Sequence, residues 1–216
     1  MLDKGGFDKW SSNYDKTVAG GDVAGEYPFA GYSAVLGCVK DLVGEPSGLE
    51  ILDIGIGTGK FSSTLYAAGA KICGVDFSAG MIEHARMVMP QGEFHLFDFN
   101  SGLPPDLNGR KFDRVISAYA FHHLADSGKA AFIKSLAGRL KGSGKIVIAD
   151  VAFETERGLN ACREKAGAKW DDSEIYMVAE TLRPLLRVRG LKSDYFQISN
   201  CAGILTLTGE GDKGRC

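Results

Sequence analysis

Nowhere does the chain contain about 18 consecutive apolar residues, and its opening Met-Leu-Asp-Lys-Gly-Gly has no basic-then-apolar run, so neither a membrane span nor a secretory leader is expected. Cysteine is sparse and unpatterned. Cys38, Cys73, Cys162, Cys201 and Cys216 are odd in number and form no CxxC, which excludes a disulfide framework and fits a reduced, cytoplasmic setting. No HExxH or His-x-His arrangement occurs among the four histidines, so no metal site is expected. Excess positive charge is also missing. Lys and Arg number 25 against 27 Asp and Glu, a formal charge of −2, so nothing in the balance draws the chain toward nucleic acid.

Glycine is abundant, with 29 residues spaced as punctuation between apolar runs. The chain is 44% hydrophobic and 24% charged over 216 residues, which suits one globular domain and excludes a disordered one. Leu49 to Ile54 reads as a short apolar strand ending in Gly55-Ile-Gly-Thr-Gly59. A helix follows with Phe61, Leu65 and Ala68 on one face and Gly69 as its stop. Lys71 to Asp76 is the next strand; Ser78 caps a helix bearing Ile82, Ala85 and Met89, which Pro90 ends. The alternation continues with strands over Glu93 to Phe97 and Phe112 to Ser117, and a helix capped by Asp126 and closed by Gly142-Ser-Gly144. A fifth strand then spans Lys145 to Ala149. Little alternation within these strands implies helices on both sheet faces, a doubly wound α/β architecture.

Residues 1–48 stand outside that pattern as an N-terminal helical cap, with Phe7, Trp10, Tyr14 and Val18, then Tyr32, Leu36, Val39 and Val43, at helical spacing. Residues 173–189 read as a longer helix with Ile175, Val178, Leu182, Leu185 and Leu186 inward and a break at Pro184. Asp194 to Ser199 and Gly203 to Thr208 are two strands too close for a crossover, hence antiparallel if paired. The expected organisation is a single domain over 1–216, with an α/β core over 49–208 and a frayed tail over 209–216.

The glycine cluster lies between a strand and a helix, where backbone passes close to a ligand at the positive helix end. The dinucleotide fingerprint needs glycine at position 60, which is Lys60, and a P-loop needs glycine and hydroxyl where Ile54 and Phe61 stand. Asp76, at the end of the second strand, is a candidate acceptor for both hydroxyls of a ribose. Asp53 is a buried carboxylate whose expected partners are glycine-turn N–H groups or a ligand ammonium. Asp98 and Phe99 at the third strand's end suit an exocyclic amine and a purine face.

Ile51-Leu-Asp-Ile-Gly-Ile-Gly-Thr-Gly59, Gly74-Val-Asp76-Phe-Ser78, Phe97-Asp98-Phe99, Phe112-Asp-Arg-Val-Ile-Ser117 and His122-His123-Leu124 resemble the successive motifs of class I S-adenosylmethionine-dependent methyltransferases. Trp10-Ser-Ser-Asn-Tyr14-Asp15 resembles the start of small bacterial YrrT-like members, and Phe97 stands where many relatives carry glycine. The resemblance implies a Rossmann-like seven-stranded mixed sheet with its last strand antiparallel. It further implies S-adenosyl-L-methionine as cofactor. Gly55, Gly57 and Gly59 would lie against its methionine portion with Asp53 near its amino group. Asp76 would hold the ribose, Phe77 the adenine face, Asp98 and the Phe99 backbone the adenine amine, and Ser117 and Ala118 the methionine portion. Tyr14 would close the pocket.

Methyl transfer from a sulfonium needs alignment and exclusion of water more than covalent help. Either His122 or His123 suits proton removal or a structural hydrogen bond, with His122 and Tyr14 as the catalytic candidates. No Asp-Pro-Pro-aromatic motif follows the fourth strand; Tyr119 and Phe121 suit an apolar small-molecule surface or ordinary core. The expected acceptor is a small molecule, against the alternatives of RNA or protein, or of a catalytically silent cofactor-binding module.

Overall fold

The structure, a computed structural model, describes residues 22 and 25–209. Tyr14 and the helix expected over 7–18 lie outside the described residues. Strands β1 (Glu50–Ile54), β2 (Lys71–Asp76), β3 (Glu93–Leu96), β4 (Phe112–Ala118), β5 (Leu140–Phe153), β7 (Ser193–Gln197) and β8 (Ala202–Thr208) form one sheet in the order β3-β2-β1-β4-β5-β8-β7. A short β6 (Met177–Val178) pairs with the end of β5 off this path. The first five strands are parallel, whereas β8 runs antiparallel to both β5 and β7. The expected Rossmann-like mixed sheet is therefore present, with one additional short strand.

Neighbouring residues of a strand point to opposite faces, and this divides the core in two. Ile51, Ile72, Ile116 and Val147 share one apolar cluster with Val35, Val39 and Val43 of α1 (Tyr32–Val43), Leu65 of α2 (Lys60–Ala67), and Ile82 and Ala85 of α3 (Ala79–Val88). Leu52, Ile54, Val75, Val115, Ile146 and Ile148 share the other with Ile133 and Leu136 of α4 (Asp126–Ala137), and with Leu182 and Leu186 of α6 (Ala179–Val188). Helix α5 (Glu156–Ala166) is capped by Thr155, whose hydroxyl accepts from Gly158 N–H at 3.1 Å. Ser78 caps α3 as expected, accepting from Met81 N–H at 3.2 Å.

Three local expectations change. Asp126 is the first residue of α4, and Ala125 occupies the cap position without a side-chain bond. Gly142-Ser-Gly144 does not close that helix but lies inside β5. Phe112 pairs with Leu140 and Arg114 with Lys145, so the glycines sit in an irregularity of the ladder. The helix expected over 173–189 begins only at Ala179. The Met-Val pair before it extends to pair with Ala152 and Phe153, leaving Ile175 39% and Leu185 41% exposed. Pro184 sits inside the shorter helix.

Lys129 of α4 is 1% exposed, and its Nζ donates to the carbonyls of Leu124 and Ile175 at 2.6 and 2.7 Å. It ties the loop after β4 to the loop before β6. Lys129→Met keeps the length but strands both carbonyls, and is expected to destabilise the fold by about 1–3 kcal/mol in urea denaturation. An unchanged midpoint would show that the two loops hold without it.

Candidate functional site

Strand order reverses between β1 and β4, which opens a crevice at the carboxyl ends of the parallel strands. The turn leaving β1 enters it with Gly55, Gly57 and Gly59 all at positive φ, 72°, 57° and 76°. The three do different work. A methyl on Gly55 would overlap the Ala120 methyl, and one on Gly59 would come within 2.7 Å of Met89 Cε and 3.2 Å of Ala85 Cα. At Gly57 it would meet nothing within 4 Å. Gly55 and Gly59 thus let protein pack on the turn, while Gly57 leaves bare backbone facing open space.

Gly55 and Ile56 donate their N–H groups to the Val75 carbonyl at 2.8 and 3.1 Å. Gly57 N–H donates to Asp76 Oδ2 at 2.8 Å, and Ser78 N–H donates to Asp76 Oδ1 at 2.9 Å. Burial raises the Asp76 carboxyl above its ordinary range, opposed by the N–H groups of Ser78, Gly57 and Phe77. Asp53, 5% exposed, accepts from the Ser62 hydroxyl at 2.5 Å, so its partner is a side chain of α2, where the sequence suggested turn N–H groups. Burial pushes its carboxyl up to about 7, Ser62 opposing and the neighbouring Asp76 charge adding to the rise.

The crevice holds about 740 Å³ of space including its open mouth. Asp53, Gly55, Gly57, Asp76, Phe77, Phe99 and Ala118 all line it. Gly59, Asp98, Ser117 and His122 are not among its lining residues. Asp98 instead accepts from the N–H and Nδ2 of Asn100 at 3.0 and 2.9 Å, shaping the turn that presents Phe99. Ser117 donates to the Ile54 carbonyl at 2.7 Å and ties β4 to β1. His122 turns away to Asp150 of β5, its Nδ1 2.6 Å from Oδ1. Burial pulls the His122 ring down, but the Asp150 charge and hydrogen bond outweigh it and raise it overall.

Sequence reasoning passed over other lining residues: Tyr32, Ile56, Lys60, Phe61 and Met81. Tyr119, left open between acceptor surface and core, and His123, read as a structural imidazole, both line the cavity. Tyr119 has φ 55°, the only positive φ on a non-glycine residue among those described, at the carboxyl end of β4. That backbone turn sets its ring 5.1 Å from Tyr32 and 5.9 Å from Phe29. Nothing in the residue type signals it.

A methyltransferase domain family matches residues 51–144. An uncharacterized methyltransferase of Bacillus pumilus strain SAFR-032 is 32% identical over 206 residues, covering 92% of this chain and 93% of its own. The uncharacterized methyltransferase YrrT of Bacillus subtilis strain 168 is 29% identical over 212 residues, covering 92% and 94%. Among solved structures, DhpI in complex with SAH aligns with a TM-score of 0.69 at 21% identity over 94% of both chains. The chain belongs to the class I S-adenosylmethionine-dependent methyltransferases and is related to uncharacterized bacterial methyltransferases including YrrT. S-adenosylmethionine is the cofactor. The residues present fit it: bare backbone at Gly57 and two buried carboxylates at successive strand ends suit a cationic amino acid joined to a ribose. Among the described residues no helix is long and apolar enough to cross a membrane.

The Asp53 shift has a measurable consequence. Its folded value near 7 lies above the ordinary 3.8, so the folded chain holds an extra proton between these values. The resulting stabilisation is full below about pH 4 and is lost as pH rises through about 7. Asp53→Asn removes the titration, so the stability of wild type minus that of the variant is expected to fall across this window in urea denaturation. A flat difference would mean the carboxyl is ionised throughout.

Proposed function

We propose that the chain transfers a methyl group from S-adenosylmethionine to a small-molecule acceptor, working as one domain in which α1 contributes Tyr32 to the wall of the entrance. The observation that carries this reading is the aromatic wall at the crevice. Tyr32 from α1 leans against Tyr119 at the end of β4, and Phe61 stands in the same lining, so the entrance is narrowed by rings. One lysine, Lys60, accompanies two aspartates there, which does not suit a polyanion.

Asp76 would hold the ribose hydroxyls, Asp53 the amino group, and Phe77, Phe99 and Met81 the adenine. Gly57 and Ala118 would flank the methionine portion. Asp98, Ser117 and Gly59 act one step back, by fixing Phe99, the β1–β4 contact and the packing of α3. On the resemblance alone, Tyr14 would belong to the same site. Bound S-adenosylmethionine supplies an activated sulfonium methyl, and transfer is an in-line displacement. The chain's part is to align the acceptor behind that methyl and to exclude water, for which the Tyr32, Tyr119 and Phe61 rings are suited.

Two measurements test this. Gly57→Val places a side chain in the open space and is expected to weaken SAH binding by about 2 kcal/mol or more, roughly 30-fold, in calorimetric titration. Gly55→Ala should instead lower the melting temperature, because Ala120 must move. Equal SAH affinity in Gly57→Val would remove the glycine turn from the site. Transfer of labelled methyl to small thiols, phenols, amines or carboxylates is the expected activity. Labelling of RNA or protein alone, or tight SAH binding with no transfer to any acceptor, would replace the reading.

A further inference from the structure

Among the described residues, three groups of reactive side chains lie outside those proposed to hold the cofactor. At the amino end of the sheet Cys73, Glu93 and His95 converge, but Arg110 already binds Glu93 through both oxygens at 2.7 and 2.6 Å. Cys162 and Cys201 are both buried, and burial pushes both thiols up, away from reactivity. The third group borders the cavity.

His122 and His123 follow each other on the turn after β4, with ring centroids 4.2 Å apart. Glu174 reaches them from the loop before β6, and one ligand atom from each of the three lies within 4.8 Å of the others. Their side chains are largely covered, 15%, 13% and 12% exposed. The His122 ring donates from Nδ1 to Asp150 Oδ1 at 2.6 Å, and its backbone N–H donates to Oδ2 at 3.0 Å. A carboxylate on one imidazole nitrogen fixes the ring, so that the other nitrogen can ligate an ion once it gives up its proton, as behind metal-bound histidines. His123 Nδ1 and Glu174 Oε2 lie within hydrogen-bond distance, at 3.1 Å.

The two loops are fastened independently of these side chains. Ile175 N–H donates to the His122 carbonyl at 3.1 Å, and Lys129 bridges Leu124 and Ile175. The Lys129 charge opposes a cation, and two carboxylates, Asp150 and Glu174, offset it. The set is therefore assembled by backbone before any ligand arrives, which lowers the ordering cost of binding.

We propose that His122, His123 and Glu174 bind a divalent transition-metal ion at the wall of the cavity, with Asp150 as the outer carboxylate. Two imidazoles and a carboxylate without a thiolate suit Zn²⁺, Fe²⁺, Mn²⁺ or Co²⁺. Three protein ligands leave coordination positions open. Because His123 lines the cavity, an ion held there would be able to polarise an oxygen or thiol of the acceptor. That role rests on the methyl-transfer reading; the binding itself does not. Spacing gave no hint of it, since Glu174 lies about 50 residues beyond the histidines.

Equilibrium dialysis of the whole chain against Co²⁺, with metal analysis and visible absorption, tests the site. Wild type is expected to take up one ion per chain, with absorption bands of nitrogen and oxygen ligation. Glu174→Gln and His123→Gln should each weaken uptake at least about tenfold, and Asp150→Asn about 10–100-fold. Cys73→Ser should leave uptake unchanged. Melting curves establish that each variant is folded. No uptake by wild type, or uptake unaltered in folded Glu174→Gln and His123→Gln, overturns the proposal. Calorimetry with SAH on the same samples reports separately on the cofactor site, so the two readings fail by different results.

Discussion

The Asp76 carboxylate holds together the two turns on which the site depends. One oxygen takes the Gly57 N–H and the other the Ser78 N–H, so a single side chain fixes the exit of β1 to the exit of β2. Burying that charge is costly, and the two N–H groups offset the cost only while both turns keep their shape. The shape of two turns and the wall of the cavity are thereby coupled at one residue. The same N–H groups that hold the carboxylate also orient it, leaving its remaining lone pairs toward the cavity it lines.

Polar burial is concentrated at this end of the molecule. Asp53, Asp76, Ser117 and Asp150 are buried near the carboxyl ends of the central strands, and Lys129 is buried in α4 beside the loop that follows β4. The remainder of both cores is almost entirely apolar. The left-handed backbone at Tyr119 belongs to the same region. Such a residue persists only when its surroundings over-determine it, and here the Tyr119 N–H bond to the Ala149 carbonyl and the Tyr32 and Phe29 rings do so. Rigidity is spent where chemistry needs fixed positions, and the sheet beneath supplies it.

Much of this was legible in the chain. The apolar runs and glycine stops located β1 to β4 and the two helices between β1 and β3, because local propensity and tertiary burial agree there. Asp53, Asp76, Phe77 and Phe99, singled out in the sequence, all line one cavity, since strand termini on a parallel sheet meet at one edge. Legibility failed where distant segments decide. Glycines 142 and 144 look like a helix stop, yet pairing with β4 draws them into a strand. Ile175 to Val178 fits a helical period, yet β5 offers hydrogen bonds that extend Met177 and Val178. Tyr32, Lys60 and Glu174 carry no local signal, because their places depend on which loops the fold brings alongside.

The reversed direction of β8 carries a further consequence. Thr208 pairs with Lys145, and Gly209 N–H donates to the Gly144 carbonyl at 2.9 Å, at the edge of the sheet where the parallel strands begin. The described chain thus finishes on the side opposite the crevice. A tether carried on Gly209 itself departs from the end of the sheet opposite the crevice, so the protein can be immobilised with that crevice facing solution.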